Sequence, residues 1–174
     1  MARVVFQLGD DVSTDIIYPG RFMATVLPSE TPQHAFADEP ELNRALRSGK
    51  IEPGSVIVAG KNFGSGSSRE QAASTLKGYE LVVVARSFAR IFLQNAVNLG
   101  LRTVTCPEIE ADEGDEVRVF PDQVVNLTKG RAFRVVPLPA PRQAVVDAGG
   151  LIPYARRRLQ AGAEHRKQKT EDRV

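Results

Sequence analysis

The chain has 174 residues, 42% hydrophobic and 25% charged, with a formal net charge of +2. That length fits one domain able to bury a core without metal or disulfide staples. Near-neutral charge makes no general case for nucleic acid, and no apolar run approaches the roughly 18 residues of a membrane span. The single cysteine, Cys106, excludes an internal disulfide, and residues 1–6 lack the apolar stretch of a signal peptide, so a reducing, cytoplasmic setting is expected.

In chain order, residues 4–8 read as a strand and residues 9–25 as a loop with functional content. Residues 28–49 read as a polar connector with a short helix at 40–47. The apolar run 56–59 predicts a strand, 69–77 a helix and 81–84 a strand. Residues 88–95, apolar at 88, 91, 92 and 96, predict a second helix, and 101–104 another strand with Cys106 buried at its end. After Pro107, the segments 116–120, 124–127 and 132–136 read as a small antiparallel unit, with Lys129-Gly130 as the last turn. Residues 141–148 and 153–159 look helical, separated by Gly149-Gly150. The alternating strands and helices argue for an α/β core with a β-rich second half wrapped onto it. Residues 1–160 form the expected single domain. Arg156, Arg157, Arg158, Arg166, Lys167, Lys169 and Arg173 make the chain's end basic. Without interleaved aromatics to stack bases, residues 161–174 read as a solvated, flexible tail.

The most informative run is Gly60-Lys61-Asn62-Phe63-Gly64-Ser65-Gly66-Ser67-Ser68-Arg69-Glu70-Gln71. A strand ends in a glycine-rich loop that opens a helix, with two serines and an arginine at the helix start. The first turn of such a helix presents unpaired N–H groups and the positive end of the macrodipole. Arg69 can add a forked grip on a carboxylate, so this is an anion site. Ser67-x-x-Glu70 and Ser68-x-x-Gln71 are also capping-box patterns in adjacent registers; only one serine can be the cap, which leaves the other hydroxyl free. The run is no P-loop, because Asn62 follows Lys61. It is no dinucleotide fingerprint, because Arg69 stands where the third glycine belongs, and it is no nucleophile elbow.

These residues resemble the Gly-Ser-Ser-Arg-Glu loop of the aconitase superfamily's swivelling domain. The similarity extends upstream to Ser13-Thr14-Asp15 and downstream to Ala85-Arg86-Ser87-Phe88-Ala89-Arg90-Ile91-Phe92, Asn95 and Asn98-Leu99-Gly100-Leu101. Ala148-Gly149-Gly150-Leu151-Ile152-Pro153-Tyr154 resembles the tail of 3-isopropylmalate dehydratase small subunits. The resemblance therefore implies a swivelling β/β/α domain. It also implies a hydro-lyase half that isomerises a hydroxy-acid by dehydration and rehydration, in leucine biosynthesis if the substrate is isopropylmalate.

The resemblance implies roles for particular residues. Ser67 is the base that takes a proton next to a carboxylate, Ser68 is a cap or substrate contact, and Arg69 and Gly66 belong to the substrate site. Thr14 and Asp15 match a Thr-Asp pair that positions groups around the leaving hydroxyl. A cap is the alternative reading for Asp15. A 4Fe–4S cluster needs several thiolates, and one cysteine cannot supply them. The cluster is therefore expected on a large-subunit partner, with neither a metal nor a cofactor held by this chain. Ser65 and Gln71 stand where many isopropylmalate-type relatives have Cys and His; Gln71 resembles the archaeal-type subunits.

Arg21, Phe22, Met23, Ala24 and Thr25 form the expected specificity segment. Ala24 stands where the homoaconitase pattern has an arginine for a distal carboxylate, which favours an apolar substrate arm; Arg21 is the residue that could take over that role. Homoaconitase and dimethylmalate dehydratase small subunits are the alternatives within the family. A non-catalytic module binding an anionic metabolite or RNA is the alternative outside it.

Overall fold

The computed structural model describes residues 1–171, and side chains through Ala161; residues 172–174, the end of the expected tail, lie outside it. Four parallel strands, β1 (Ala2–Gln7), β2 (Val56–Ala59), β3 (Val82–Ala85) and β4 (Arg102–Thr105), lie side by side in that order. The free side of β1 pairs antiparallel with β5 (Glu116–Val119), and β6 (Gln123–Asn126) and β7 (Arg131–Arg134) follow as hairpins. All seven form one sheet, β4-β3-β2-β1-β5-β6-β7, rather than a core plus a separate unit. The antiparallel half then rolls back. The Val136 N–H donates to the Thr105 carbonyl at 2.8 Å, and the Cys106 thiol donates to the Arg134 carbonyl at 3.4 Å, so the two ends of the sheet meet.

Side-chain alternation along β2, β3 and β4, with an irregularity between Val4 and Phe6 that switches the face of β1, divides the interior in two. Val4, Val56, Val58, Val82, Val84 and Val104 face the inside of the roll, where Val117, Val124, Phe133 and Cys106 meet them. Phe6, Ile57, Ala59, Val83 and Ala85 face the other way, against α3 (Glu70–Gly78) and α4 (Arg90–Leu99). β2 and β3 are buried at every position, as strands covered on both faces should be.

Three local expectations change. Residues 9–25 contain a short helix, α1 (Thr14–Ile17), whose N-cap is Ser13; the Ile16 N–H donates to Ser13 Oγ at 3.3 Å, so Asp15 is not the cap. The connector carries the expected helix α2 (Pro40–Arg47), but it also buries Thr31, Ala35, Phe36 and Leu46. Thr75 Oγ1 donates to the Thr31 carbonyl at 2.9 Å, which lays this segment over α3. After α5 (Ala140–Asp147), the last helix, α6 (Leu151–Glu171), runs well past residue 159. Among the described residues no helix is long and apolar enough to cross a membrane.

A buried polar knot fixes the antiparallel half. Asn126, fully buried, donates through Nδ2 to Asp115 Oδ2 at 2.7 Å and to the Glu110 carbonyl at 3.2 Å, and its Oδ1 accepts from the Lys129 N–H at 3.0 Å. The Asp112 N–H, then the Asn126 amide, and beyond them Lys129 hold the Asp115 carboxyl below its usual range. A carboxyl held low adds stability above its ordinary pKa, and that increment vanishes as pH falls through the lowered value. Asn126→Ala strips three bonds from this knot and should cost about 1–3 kcal/mol in denaturant unfolding. An unchanged unfolding midpoint would refute this account of the hairpins.

Candidate active site at the carboxyl ends of the parallel strands

The loops that leave the carboxyl ends of β1, β2 and β3 lie together, the position where open α/β sheets build ligand sites. Backbone bonds stitch them past the end of the sheet. On one side of the serine loop, the Gly60 N–H donates to the Gly9 carbonyl at 3.0 Å and the Asp11 N–H to the Lys61 carbonyl at 2.8 Å. The Gly64 N–H then reaches the Val12 carbonyl at 2.8 Å and the Thr14 N–H the Ser65 carbonyl at 2.7 Å. On the other side, the Phe63 N–H donates to the Ser87 carbonyl at 3.0 Å and the Ala89 N–H to the Phe63 carbonyl at 2.9 Å. A Cβ at Gly64 would overlap the Phe92 ring, and its φ of +79° favours glycine independently.

This stitching presents Gly66, Ser67 and Ser68 to solvent. Thr14, 1% exposed, donates through Oγ1 to the Ser67 carbonyl at 3.0 Å. It therefore acts on the loop beneath Ser67. The N-cap of α3 is Arg69, with no side-chain cap bond, so neither serine caps the helix and the capping-box expectation for Ser68 fails. The Ser67 carbonyl instead accepts the Arg69 N–H at 2.8 Å. Among the described residues, the first turn of α3 thus keeps N–H groups without a side-chain cap beside two exposed serines.

Arg69 is held more tightly than a free carboxylate grip would be. Its side chain is 14% exposed; Nη1 donates to the Asp15 carboxylate and to the Tyr18 carbonyl at 3.2 Å, and buried Nε has no partner. Gly20 packs so closely that a Cβ there would lie 3.1 Å from Nη2. Asp15 itself is 59% exposed. The pair brings the Thr-Asp element and the serine loop into one site, as expected.

Residues 21–25, the expected specificity segment, pack beside it. Tyr18 Oη donates to the Phe22 carbonyl at 3.2 Å and the Thr25 carbonyl at 3.4 Å, and Gln71 Nε2 donates to the Met23 carbonyl at 3.3 Å. Met23 and Ala24 are exposed, and Phe22 stacks on His34 with ring centroids 4.0 Å apart. Arg21 is not free: both Nη atoms donate to Asp38, at 2.9 and 2.5 Å. Asp38 and His34 carry no local signal in the sequence, because they reach this site only through the folding of the connector.

Residues 12–109 match the aconitase C-terminal domain model. The chain belongs to the aconitase C-terminal domain family. Family members called 3-isopropylmalate dehydratase small subunit share 40% identity with it in Thermodesulfovibrio yellowstonii, over 89% of this chain and 93% of the relative. The corresponding relative in Aquifex aeolicus shares 43% identity over 89% and 94%. A crystal structure described as 3-isopropylmalate dehydratase from Methanocaldococcus jannaschii matches with a TM-score of 0.85 at 35% identity, covering 94% of this chain and 97% of that one. The matched region holds the serine loop, Thr14-Asp15 and residues 21–25.

An iron–sulfur cluster does not fit this member of the family. Its one cysteine is fully buried, and burial, followed by Glu108, pushes the thiol pKa up to about 11, far from a ligating thiolate. Among the described residues no group of three or more His, Cys, Asp or Glu is placed to hold a metal. Clefts of about 610 and 540 Å³ open elsewhere on the surface, and one of about 510 Å³ opens beside the stitched loops, lined by Gly9, Asp10, Gly60 and Arg86; Ser67, Ser68 and Arg69 line none of the three.

Two substitutions separate these contacts. Thr14→Val keeps the shape and removes the bond to the Ser67 carbonyl, which should cost about 1 kcal/mol of stability. Ser68→Ala should stay within about 0.5 kcal/mol of the parent, below the roughly 1 kcal/mol of a lost cap. Chemical denaturation of the two variants checks both. A larger loss for Ser68→Ala would restore it as the cap.

Proposed function

We propose that this chain is the small subunit of a 3-isopropylmalate dehydratase-type hydro-lyase, converting 2-isopropylmalate to 3-isopropylmalate only in complex with a large subunit. The observation that carries the proposal is the exposed Ser67 hydroxyl on a pinned loop, between the open first turn of α3 and the Arg69–Asp15 pair. A serine hydroxyl is a poor base in water and becomes a useful one where donors and positive charge stabilise its oxyanion. The helix start and Arg69 supply both. Ser67 then takes the proton from the carbon next to a substrate carboxylate while the neighbouring C–O bond breaks, leaving a C=C bond and hydroxide, which together with the proton make up the water lost. The water returns with its hydroxyl on the carbon that gave up the proton and its proton on the carbon that gave up the hydroxyl. Ser68, Gly66 and Arg69 hold the carboxylate; Thr14 fixes the Ser67 loop and Asp15 orients Arg69.

The large subunit, on which a 4Fe–4S cluster is expected, supplies the opposite wall of the site. A serine loop exposed to solvent, with Gly66, Ser67 and Ser68 all outward, supports that division. Residues 1–160 act as the swivelling domain, and the complex works in the reducing cytoplasm. Ala24, exposed in the loop held by Tyr18 and Gln71, favours a substrate whose variable arm is alkyl, because a distal carboxylate there would lack a partner.

The complex reconstituted from both subunits should interconvert the isopropylmalates, and this chain alone should not. Turnover by the isolated chain without partner or iron would sink the reading. Ser67→Ala should lower kcat by at least about a hundredfold while the subunits still co-purify. Near-normal turnover in that variant would remove Ser67 as the base. Ala24→Arg should move the ratio of kcat/KM values from isopropylmalate toward homoaconitate, and an unmoved ratio would detach this loop from substrate choice.

A further inference from the structure

Arg21 is the cation of the specificity segment, one residue from Gly20, whose Cα lies against Arg69. Charge alone would make it a receptor for a second substrate carboxylate. Its contacts say otherwise. Both Nη atoms are committed to the two oxygens of Asp38, and the guanidinium carbon sits 4.6 Å above the Phe22 ring. A bidentate fork on one carboxylate fills the two-pronged edge that a substrate carboxylate would use. The stacked Phe22 face adds a further hold.

Asp38 comes from outside the segment. It follows buried Phe36, whose carbonyl accepts the Glu39 N–H at 2.8 Å, in the turn between the 3-10 turn Thr31–His34 and α2. The clamp therefore joins two separate parts of the chain at the rim of the site. Arg21 and Asp38 are 54% and 55% exposed, and exposed pairs of this kind contribute little to folding. Specificity is the better account of its geometry.

We infer that Asp38 is a specificity-determining residue: by occupying Arg21 it makes the segment electrically neutral toward the substrate's variable arm and so selects an alkyl arm over one bearing a carboxylate. Asp38 touches no substrate and acts through Arg21, as a positioning residue. The inference rests on the hydro-lyase reading of the Ser67 site. Without Asp38, the Arg21 fork is open to an acid with a distal carboxylate, and the segment acquires a binding group without any change in its own residues.

The test uses the complex of this chain with its large subunit, assayed on isopropylmalate and on homoaconitate as the carboxylate-bearing probe. Asp38→Ala should raise the homoaconitate-to-isopropylmalate ratio of kcat/KM by about tenfold or more, the scale of one charge-assisted hydrogen bond. Arg21→Ala/Asp38→Ala should return the ratio to that of the parent, which a merely structural role for Asp38 would not produce. A ratio unmoved by Asp38→Ala overturns the inference, whether or not both activities fall together. So does a raised ratio that persists in the double variant. A parent complex inactive on both acids sinks the hydro-lyase reading itself, and the inference with it.

Discussion

The stitching of the serine loop between its two neighbours is the constraint on which the site depends. Residues 60–69 leave the sheet but remain paired on both sides, to residues 9–14 and to residues 87–89. A loop of small polar residues has little side-chain packing to define it, so its shape has to come from the backbone. The flanking loops provide the necessary partners. Only a residue lacking a Cβ passes under Phe92 at position 64, and only then does the chain reach the helix start with both serines turned outward. Thr14 carries the same logic into the site, since its buried hydroxyl spends its proton on the Ser67 carbonyl and leaves the Ser67 side chain unencumbered.

Much of the fold was legible because its signals are local. The apolar runs at 56–59 and 81–84, the helix at 40–47 and the Lys129-Gly130 turn all lie where their residue patterns place them. The misreadings share one cause. Ser68 looked like a cap because a capping box is a four-residue pattern, whereas the Ser67 carbonyl is claimed by Thr14, 53 positions away. The connector looked polar because its buried Thr31, Ala35 and Phe36 follow no helical or strand period. The return of the antiparallel strands to β4 depends on sheet curvature, which no window of sequence encodes.

The site was readable by type and incomplete in its partnerships. The fold places Ser67, Arg69, Thr14 and Asp15 close together, but Arg69 is engaged by Asp15 and the Tyr18 carbonyl, and Arg21 by Asp38. Such pairings decide what a charged side chain can still bind. A cation counted from sequence is a formal charge; in the folded chain it is available only for the donors its neighbours leave free.

The junction between the Thr105 carbonyl and the Val136 N–H has a consequence for the chain's life before assembly. Edge strands with unpaired N–H and C=O groups recruit other strands and lead to aggregation. Here the two outermost strands are drawn toward each other, and β7 carries exposed Arg131 and Arg134 at its ends. A border tied back to its opposite by a bridge, and carrying arginines, recruits copies of the same chain less readily than a free apolar edge.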